Sequence, residues 1–292
     1  MTKQKTKKVK YKNKKGCWNK IWPSVFTIVI VLIVGVLFFL DQFLSGVDNV
    51  QKYVNLLDEL DNPPTDEQMA PNMVSTTDQA NFQDLINNAV TNNEGNPLFD
   101  ENGNFIYENI LPENVTIPTG TTISLDKTSL ACLLNSSLGA GWVSDLYDDG
   151  ENLLSILQIT TLATVDETTT ITAVGKLKLG SILDGATEEE KQALKILDAM
   201  PDDLYFVYTA SFNYSEETLN ISSSMWVNQL TAESNELFLE LFFGNWVDQG
   251  NLTLAENLNS ITEWSLSQFN DMLSLWGGTA SFSDENIILT KN

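Results

Sequence analysis

Histidine and arginine are both missing from this 292-residue sequence, so lysine supplies all sixteen of its cations. Without histidine, the chain has no Ser-His-Asp triad and no histidine metal site. Without arginine, it has none of the bidentate guanidinium clamps that hold phosphate groups. These absences remove several common classes of enzyme and favour a protein that is not a catalyst.

Cysteine is scarce, with Cys17 and Cys132 the two in the chain. A long apolar run lies between them, so we expect them in different compartments, where no intramolecular bridge can join them. The fold must then be stabilised by packing and not by disulfides. Palmitoylation of Cys17 beside the membrane is one interpretation, and an inert cytoplasmic thiol is the favoured one.

The charge is distributed very unevenly. Nine of the sixteen lysines precede residue 21, whereas the first acidic residue is Asp41. From there onward seven lysines face all 39 acidic residues, which gives this part a formal charge of −32. Such a field repels polyanions, so nucleic acid is excluded as a partner of the outer part.

Residues 21–40 form an apolar run of twenty residues without a charge, long enough as a helix to cross the hydrocarbon core of a bilayer. The lysines before it predict a cytoplasmic N-terminus by the positive-inside rule. A cleaved signal peptide is the alternative, but residues 41–46 offer no small-x-small cleavage site. We therefore expect a cytoplasmic tail (1–20), a transmembrane helix in contact with the lipid bilayer (21–44) and a C-terminal part outside the cell membrane.

The first outer segment, residues 45–80, is interpreted as a stalk and linker. Apolar residues recur at helical spacing over residues 50–60, which predicts a helix that continues outward from the membrane. The polar, proline-containing stretch 65–79 shows no sustained period and is predicted to be a spacer. The remaining residues, 81–292, are predicted to form one acidic extracytoplasmic domain.

Within that domain, helical spacing predicts helices over residues 82–90 and 130–138. Two pairs of segments, in which apolar and polar residues alternate, then predict two β-hairpins. In the first hairpin, Leu157, Ile159, Ala163 and Val165 are predicted to share an inward face, and the second covers residues 204–227. Capping boxes at residues 187–190 and 260–263 predict two helix starts, and residues 287–289 a last strand. The predicted fold class is α+β, with an antiparallel, curved sheet of two or more hairpins and packed helices behind one transmembrane helix.

Two segments carry a resemblance to a known family. Residues 123–135 read ISLDKTSLACLLN and residues 176–182 read KLKLGSI. They resemble the helix after the span, and the strand that ends in a Leu-Gly turn, of the YpmS-like single-pass membrane-anchored proteins of Gram-positive bacteria. The resemblance implies a membrane-anchored α+β domain and, by fold-level analogy, a curved sheet that binds lipid, but it brings no settled activity.

Acidic clusters supply the candidate metal and hydrolase sites. Residues 100–104 (DENGN) place oxygen side chains at alternate positions, as a calcium loop does, but the EF-hand positions for glycine and glutamate hold Phe105 and Leu111. An Asn-Gly hairpin turn is the favoured interpretation. Carboxylate pairs such as those at residues 202–203 and 216–217 are hydrolase candidates, but among 39 acidic residues such pairs arise by chance, and nothing in the sequence places either pair across a cleft. No cofactor or metal site is predicted.

Aromatic residues crowd the region between residues 226 and 276, and core packing is their default explanation. The run at residues 237–243 (LFLELFF) is more apolar than a one-sided amphipathic helix needs, so it could line a pocket or a partner groove. The candidate ligand-binding residues are Trp226, Phe238, Phe242, Phe243 and Trp246. The predicted function is a membrane-anchored extracytoplasmic binding module for a lipid or other apolar ligand, and the alternative is a structural or interaction protein of a cell-envelope assembly.

Overall fold

A computed structural model describes residues 50–139, 154–179, 201–213, 220–247 and 254–292. The tail, the predicted span at residues 21–44 and the predicted helix start at residues 187–190 lie outside the described residues. Among the helices that the structure describes, none has the length and apolar character needed to cross a membrane.

Within the described ranges the chain alternates helical and extended segments. The helices are α1 (Val50–Leu60), α2 (Asp66–Met69), α3 (Thr76–Ala89), α4 (Lys127–Gly139), α5 (Ala232–Val247) and α6 (Leu254–Leu275). The strands are β1 (Thr91–Asn92), β2 (Val115–Thr116), β3 (Thr122–Leu125), β4 (Leu154–Val165), β5 (Thr168–Lys178), β6 (Asp203–Asn213), β7 (Ile221–Val227), β8 (Gly278–Phe282) and β9 (Ile287–Lys291).

The largest sheet contains strands β4, β5, β6 and β7 in chain order, and every neighbouring pair is antiparallel. The predicted hairpin between β4 and β5 turns at Asp166 and Glu167, which both adopt positive φ. A separate antiparallel sheet has the order β3-β9-β8, and β1 pairs with β2. The predicted α+β class with antiparallel pairing is confirmed.

Two β-bulges in β4 change the side-chain alternation that the sequence predicted. Register shifts fall between Ile156 and Gln158 and between Ile159 and Thr161, so two extra residues enter the strand. The inward apolar residues are consequently Ile156, Ile159 and Leu162, all buried. The prediction that Ala163 and Val165 point inward was wrong, and Val165 is 67% exposed.

The core lies on one face of the four-stranded sheet. Helices α3 and α4 and the β3-β9-β8 sheet contribute side chains to one buried cluster, which contains Phe82, Leu125, Leu130, Ile159 and Ile287. Helix α6 covers the same face at β7, where the Thr262 hydroxyl lies 2.6 Å from both the Tyr208 and the Ser223 hydroxyls.

Two further segments differ from their prediction. Helix α6 starts at Leu254, so Ser260 lies inside the helix, where its hydroxyl donates to the Glu256 carbonyl, and it does not cap a helix start. The stretch 65–79, predicted to be a spacer, contains α2, which Thr65 and Gln68 begin with a reciprocal capping box. Ala70 at its end is buried, so the stretch packs against the domain.

Candidate binding surface

The two faces of the four-stranded sheet have opposite chemistry. Residues that alternate along each strand, and residues paired across strands, share a face. The inner face is apolar and lies on the core, with Ile156, Leu162, Ile171, Phe206, Phe212 and Val227 among its residues. On the opposite side, here called the outer face, most of the side chains are polar and uncharged.

The centre of the outer face consists of two rows that run across all four strands. We call these eight residues the hydroxyl face, since all of them except one alanine carry a hydroxyl group. The first row is Thr161, Thr172, Thr209 and Ser224, and the second is Ala163, Thr170, Ser211 and Ser222. None of the eight is buried, and the two serines of β7 are exposed.

Hydrogen bonds between neighbouring strands order the hydroxyl face. The Thr170 and Ser211 hydroxyl oxygens lie 2.9 Å apart, and those of Thr172 and Thr209 lie 3.1 Å apart. Threonine is also restricted in χ1 by its β-branch. Each of these two pairs uses one of its two hydroxyl hydrogens for the bond between the strands. One hydroxyl hydrogen and several lone pairs per pair therefore remain for a ligand.

The absence of charge from this surface contrasts with the composition of residues 41–292 as a whole. None of the eight residues of the hydroxyl face is ionisable, although residues 41–292 together have a formal charge of −32. The adjoining row toward α2 is also uncharged. It contains Gln158, Val207 and Trp226, which are at least partly exposed, and Val174, which is buried. An uncharged partner can therefore approach the outer face without burying an acidic side chain.

Trp226 lies at the border of this surface on β7, an edge strand. Its side chain is 42% exposed, and its indole Nε1 donates a 3.0 Å hydrogen bond to the Leu230 carbonyl. The chain folds back there because Asn228 adopts a φ of 47°. The indole is thus held in one orientation while part of its surface stays accessible to solvent.

The other end of the outer face is covered by α2. Lys176 of β5 extends from that face, and its Nζ lies 3.0 Å from Asp66 Oδ1 and 2.8 Å from Asp203 Oδ2. The Tyr205 hydroxyl donates a 2.5 Å hydrogen bond to the same Asp66 oxygen. The Lys176 and Tyr205 side chains are therefore both occupied by contacts within the chain, which anchor α2 to the sheet.

The ionisation of this cluster follows from its contacts. The hydrogen bond from Tyr205 is the main reason why the pKa of Asp66 lies below its ordinary value, with help from Lys176. Burial and the hydrogen bond to Asp66 raise the pKa of Tyr205 to about 12. Burial alone would lower the pKa of Lys176, but its bonds to Asp203 and Asp66 outweigh that effect and raise it. At neutral pH Asp66 and Lys176 are therefore both charged, and they form an ion pair.

Asparagine side chains occupy both outer edges of the sheet. On β4, Asn135 of α4 accepts from the Ile156 N–H at 2.7 Å and donates to the Ile156 carbonyl at 2.8 Å. On β7, Asn235 accepts from the Val227 N–H at 2.8 Å, and Asn259 accepts from the Ser223 N–H at 2.7 Å. These bonds occupy the edge groups of Ile156, Ser223 and Val227, so another strand cannot pair at those three positions.

A separate polar contact joins α1 to the start of α5. Glu59 accepts from the Thr231 N–H at 2.8 Å, and from the Thr231 and Ser234 hydroxyls at 3.1 and 2.7 Å. Burial alone would raise the pKa of Glu59, but these three hydrogen bonds outweigh it and hold the pKa below its ordinary value. The helix nearest the predicted membrane span is thus fixed to the helix that carries the aromatic run.

The structure describes the side chains of two of the five predicted ligand-binding residues, and these two differ in exposure. Trp226 is exposed on the outer face, whereas Phe238 is 1% exposed in α5. Phe242, Phe243 and Trp246 follow in the same helix, and their side chains lie outside the described residues. Trp226 and Phe238 therefore occupy different environments, one at a surface and the other in the interior.

The acidic loop at residues 100–104 forms a turn. The Asp100 carboxylate accepts hydrogen bonds from the Asn102 and Asn104 N–H groups at 2.9 and 2.8 Å, and Phe99 pairs with Phe105 across the turn. Gly103 adopts a φ of 86°, which favours glycine. In the part of the chain that the structure describes, no three His, Cys, Asp or Glu side chains gather as a metal site.

No protein-family model matches the chain, and no curated protein or solved structure matches it. Trp226 was predicted from the sequence as a candidate ligand-binding residue, whereas the hydroxyl face was not predicted. The signal was present as the spacing of threonines at residues 168, 170 and 172. An outward row of hydroxyl residues is also what any solvated strand shows, and only the register of all four strands turns it into a continuous surface.

Proposed function

We propose that this chain is a membrane-anchored extracytoplasmic binding module that holds an uncharged partner on the outer face of its sheet. The continuous uncharged surface on an otherwise acidic domain is the observation that carries the proposal. An acidic domain that repels polyanions keeps one face on which a neutral partner meets no charge. The lysine-rich tail and apolar run of residues 1–44 supply the anchor.

In-cell photo-crosslinking of the full-length chain tests this function. A photoactivatable residue replaces Ser222 or Ser224 on the hydroxyl face, both exposed, and the matched control replaces Glu263 on the exposed side of α6. We expect adducts from the two sheet positions that disappear in a Trp226→Ala background, and none from the control position. Equal adducts at all three positions, or none at the sheet positions, would overturn the proposal.

A lipid or other apolar ligand is the second candidate, and the placement of α5 favours it. The helix that carries the run at residues 237–243 contacts α1, which begins ten residues after Leu40. Ten residues span at most about 33 to 36 Å, so this helix pair is tethered close to the bilayer. Native mass spectrometry of the detergent-extracted chain checks the idea, since a mass without bound lipid and no uptake of fluorescent acyl probes would remove it.

The likeness to YpmS-like proteins also stays a proposal. It is supported by the order of elements, in which α4 precedes one long hairpin and a second pair of strands. A structural role in an envelope assembly is the alternative function, and a discrete protein adduct from Glu263 with none from Ser222 or Ser224 would favour it.

A further inference from the structure

We propose that the occupant of the hydroxyl face is a neutral polysaccharide strand that stacks a sugar ring on Trp226. This inference rests on the proposed function and names the chemical class of the partner. Four properties of the surface lead to it: its charge, its hydrogen-bonding groups, its size and the accessible indole.

Charge and hydrogen bonding together select for a polyhydroxylated ligand. A serine or threonine hydroxyl both donates and accepts, as a sugar hydroxyl does. The hydroxyl face offers these groups in two rows that run across the strands. Within each row, neighbouring residues lie on adjacent strands, about 4.8 Å apart. Because the rows contain no lysine, they give an anionic polymer no cation to pair with, and because they contain no carboxylate, a neutral chain meets no charge to desolvate.

The size of the surface argues against a protein partner. Four strands are about 19 Å wide, and the two rows of the hydroxyl face extend about 13 Å along them, which gives roughly 250 Å². A stable protein interface needs about 800 Å² from each partner and has an apolar centre. A second copy of this chain would also bring its own acidic surface. A narrow extended oligosaccharide fits the available area.

Trp226 supplies the apolar contact that hydroxyl groups lack. An indole presents a large flat surface at low entropic cost, and the carbon-bound hydrogens of a sugar ring can pack on it. The hydrogen bond to the Leu230 carbonyl sets the orientation of the indole before any ligand binds. Trp226 lies in the row next to Ser224 on the same strand, so one sugar chain can contact both.

Affinity electrophoresis of the full-length chain in mild non-ionic detergent tests the proposal. Native gels are cast with one of three neutral polymers: hydroxyethyl cellulose, a soluble β-1,3-glucan or glycol chitin. Carboxymethyl cellulose serves as the charged counterpart of hydroxyethyl cellulose. We expect retardation by at least one neutral polymer and weaker retardation by the carboxymethyl form. Trp226→Ala should weaken the retardation at least about tenfold.

Two further variants separate a lost site from a lost fold. Ser224→Arg places a bulky side chain on the exposed edge of the hydroxyl face and should weaken retardation as strongly as Trp226→Ala. Leu57→Ala removes an exposed aliphatic side chain from α1 and should leave retardation unchanged. Circular dichroism spectra of the three variants should match that of the parent.

The outcomes distinguish this inference from the proposed function. Two results would overturn the assignment of a polysaccharide to the hydroxyl face. One is no retardation by any of the three neutral polymers, and the other is retardation that survives both Trp226→Ala and Ser224→Arg. In cells, a heterogeneous adduct at Ser222 that collapses on glycosidase treatment supports it. A discrete protein adduct at Ser222 overturns the assignment of a polysaccharide and leaves the proposed function standing. No adduct at either sheet position overturns both the polysaccharide assignment and the proposed function.

Discussion

The ring of Phe206 lies directly over Gly175 in the neighbouring strand, so a Cβ added to the glycine would come within 2.0 Å of the ring carbon Cζ. The two residues are paired across β5 and β6 on the inner face of the sheet. The absent side chain of Gly175 therefore makes the space that Phe206 fills, and this contact fixes one row of the core beneath the outer face.

Gly175→Ala should destabilise the fold, although alanine normally suits a strand better than glycine. The added methyl group must displace a partly buried ring that packs on the core, and such overpacking costs about 1 to 3 kcal/mol. Urea denaturation of the detergent-solubilised chain measures the change. In a Phe206→Leu background the same substitution should cost clearly less, and an equal cost in both backgrounds would show that the ring is not the cause.

Lys176→Met should destabilise the domain by about 1 to 3 kcal/mol, because it leaves Asp66 and Asp203 without their cation at a position where the lysine side chain is only 11% exposed. Lys52→Met is the matched control. Lys52 pairs with Glu233 at the surface, where both side chains are more than half exposed, so its loss should cost at most about 1 kcal/mol. Similar costs for the two variants would contradict the assignment of Lys176 to a structural ion pair.

The same cluster predicts opposite pH limits for two residues. The pKa of Asp66 is lowered from its ordinary 3.8, so its contribution to stability is present above pH 3.8 and is lost as the pH falls further. The pKa of Tyr205 is raised from 10 to about 12, so its contribution is present below pH 10 and is lost as the pH rises toward 12.

Denaturation of the parent and two variants across pH checks both limits. Asp66→Asn should be less stable than the parent at neutral pH, and the difference should shrink below pH 3.8. Tyr205→Phe should remove the component of the 295 nm phenolate titration near pH 12. A stability gap for Asp66→Asn that widens in acid would contradict the lowered pKa.

Asn135→Ala tests the protection of the sheet edge. The substitution leaves the Ile156 N–H and carbonyl groups without the amide that bonds both, which should cost about 1 to 3 kcal/mol and expose an edge strand to association. Denaturation and light scattering measure the two effects. Asn96→Ala removes an exposed amide that bonds Glu94, and should change neither, so equal aggregation of both variants would rule out edge protection as the cause.

The sequence predicted the elements of the sheet better than its faces. Helical spacing located α1, α3 and α4, and alternation located β5, β6 and β7, because both patterns follow directly from a buried side. The faces of β4 could not be predicted, since the two bulges insert residues without a local sequence signal. The contact of Asp66 with Lys176 joins residues 110 positions apart, and nothing in a polar proline-containing stretch predicts such a partner.

The two cysteines give a test of the membrane topology that the tail and apolar run predict. Cys132 is fully buried, and burial, with smaller effects of Asp78 and Asp126, raises its pKa to about 12, so its reactive thiolate is scarce near neutral pH. Cys17 lies in the tail predicted to be cytoplasmic. We expect a membrane-impermeant maleimide to label neither thiol in intact cells, Cys17 after permeabilisation and both after denaturation.

An added thiol makes this result decisive. Ser267 is exposed on α6, so Ser267→Cys in a Cys17→Ser chain should be labelled on intact cells if the acidic domain lies outside. The same reagent should miss Cys17 in the parent until the membrane is opened. Labelling of Cys17 on intact cells, or protection of the cysteine at position 267, would reverse the orientation, and the charge asymmetry of the tail would then not set it.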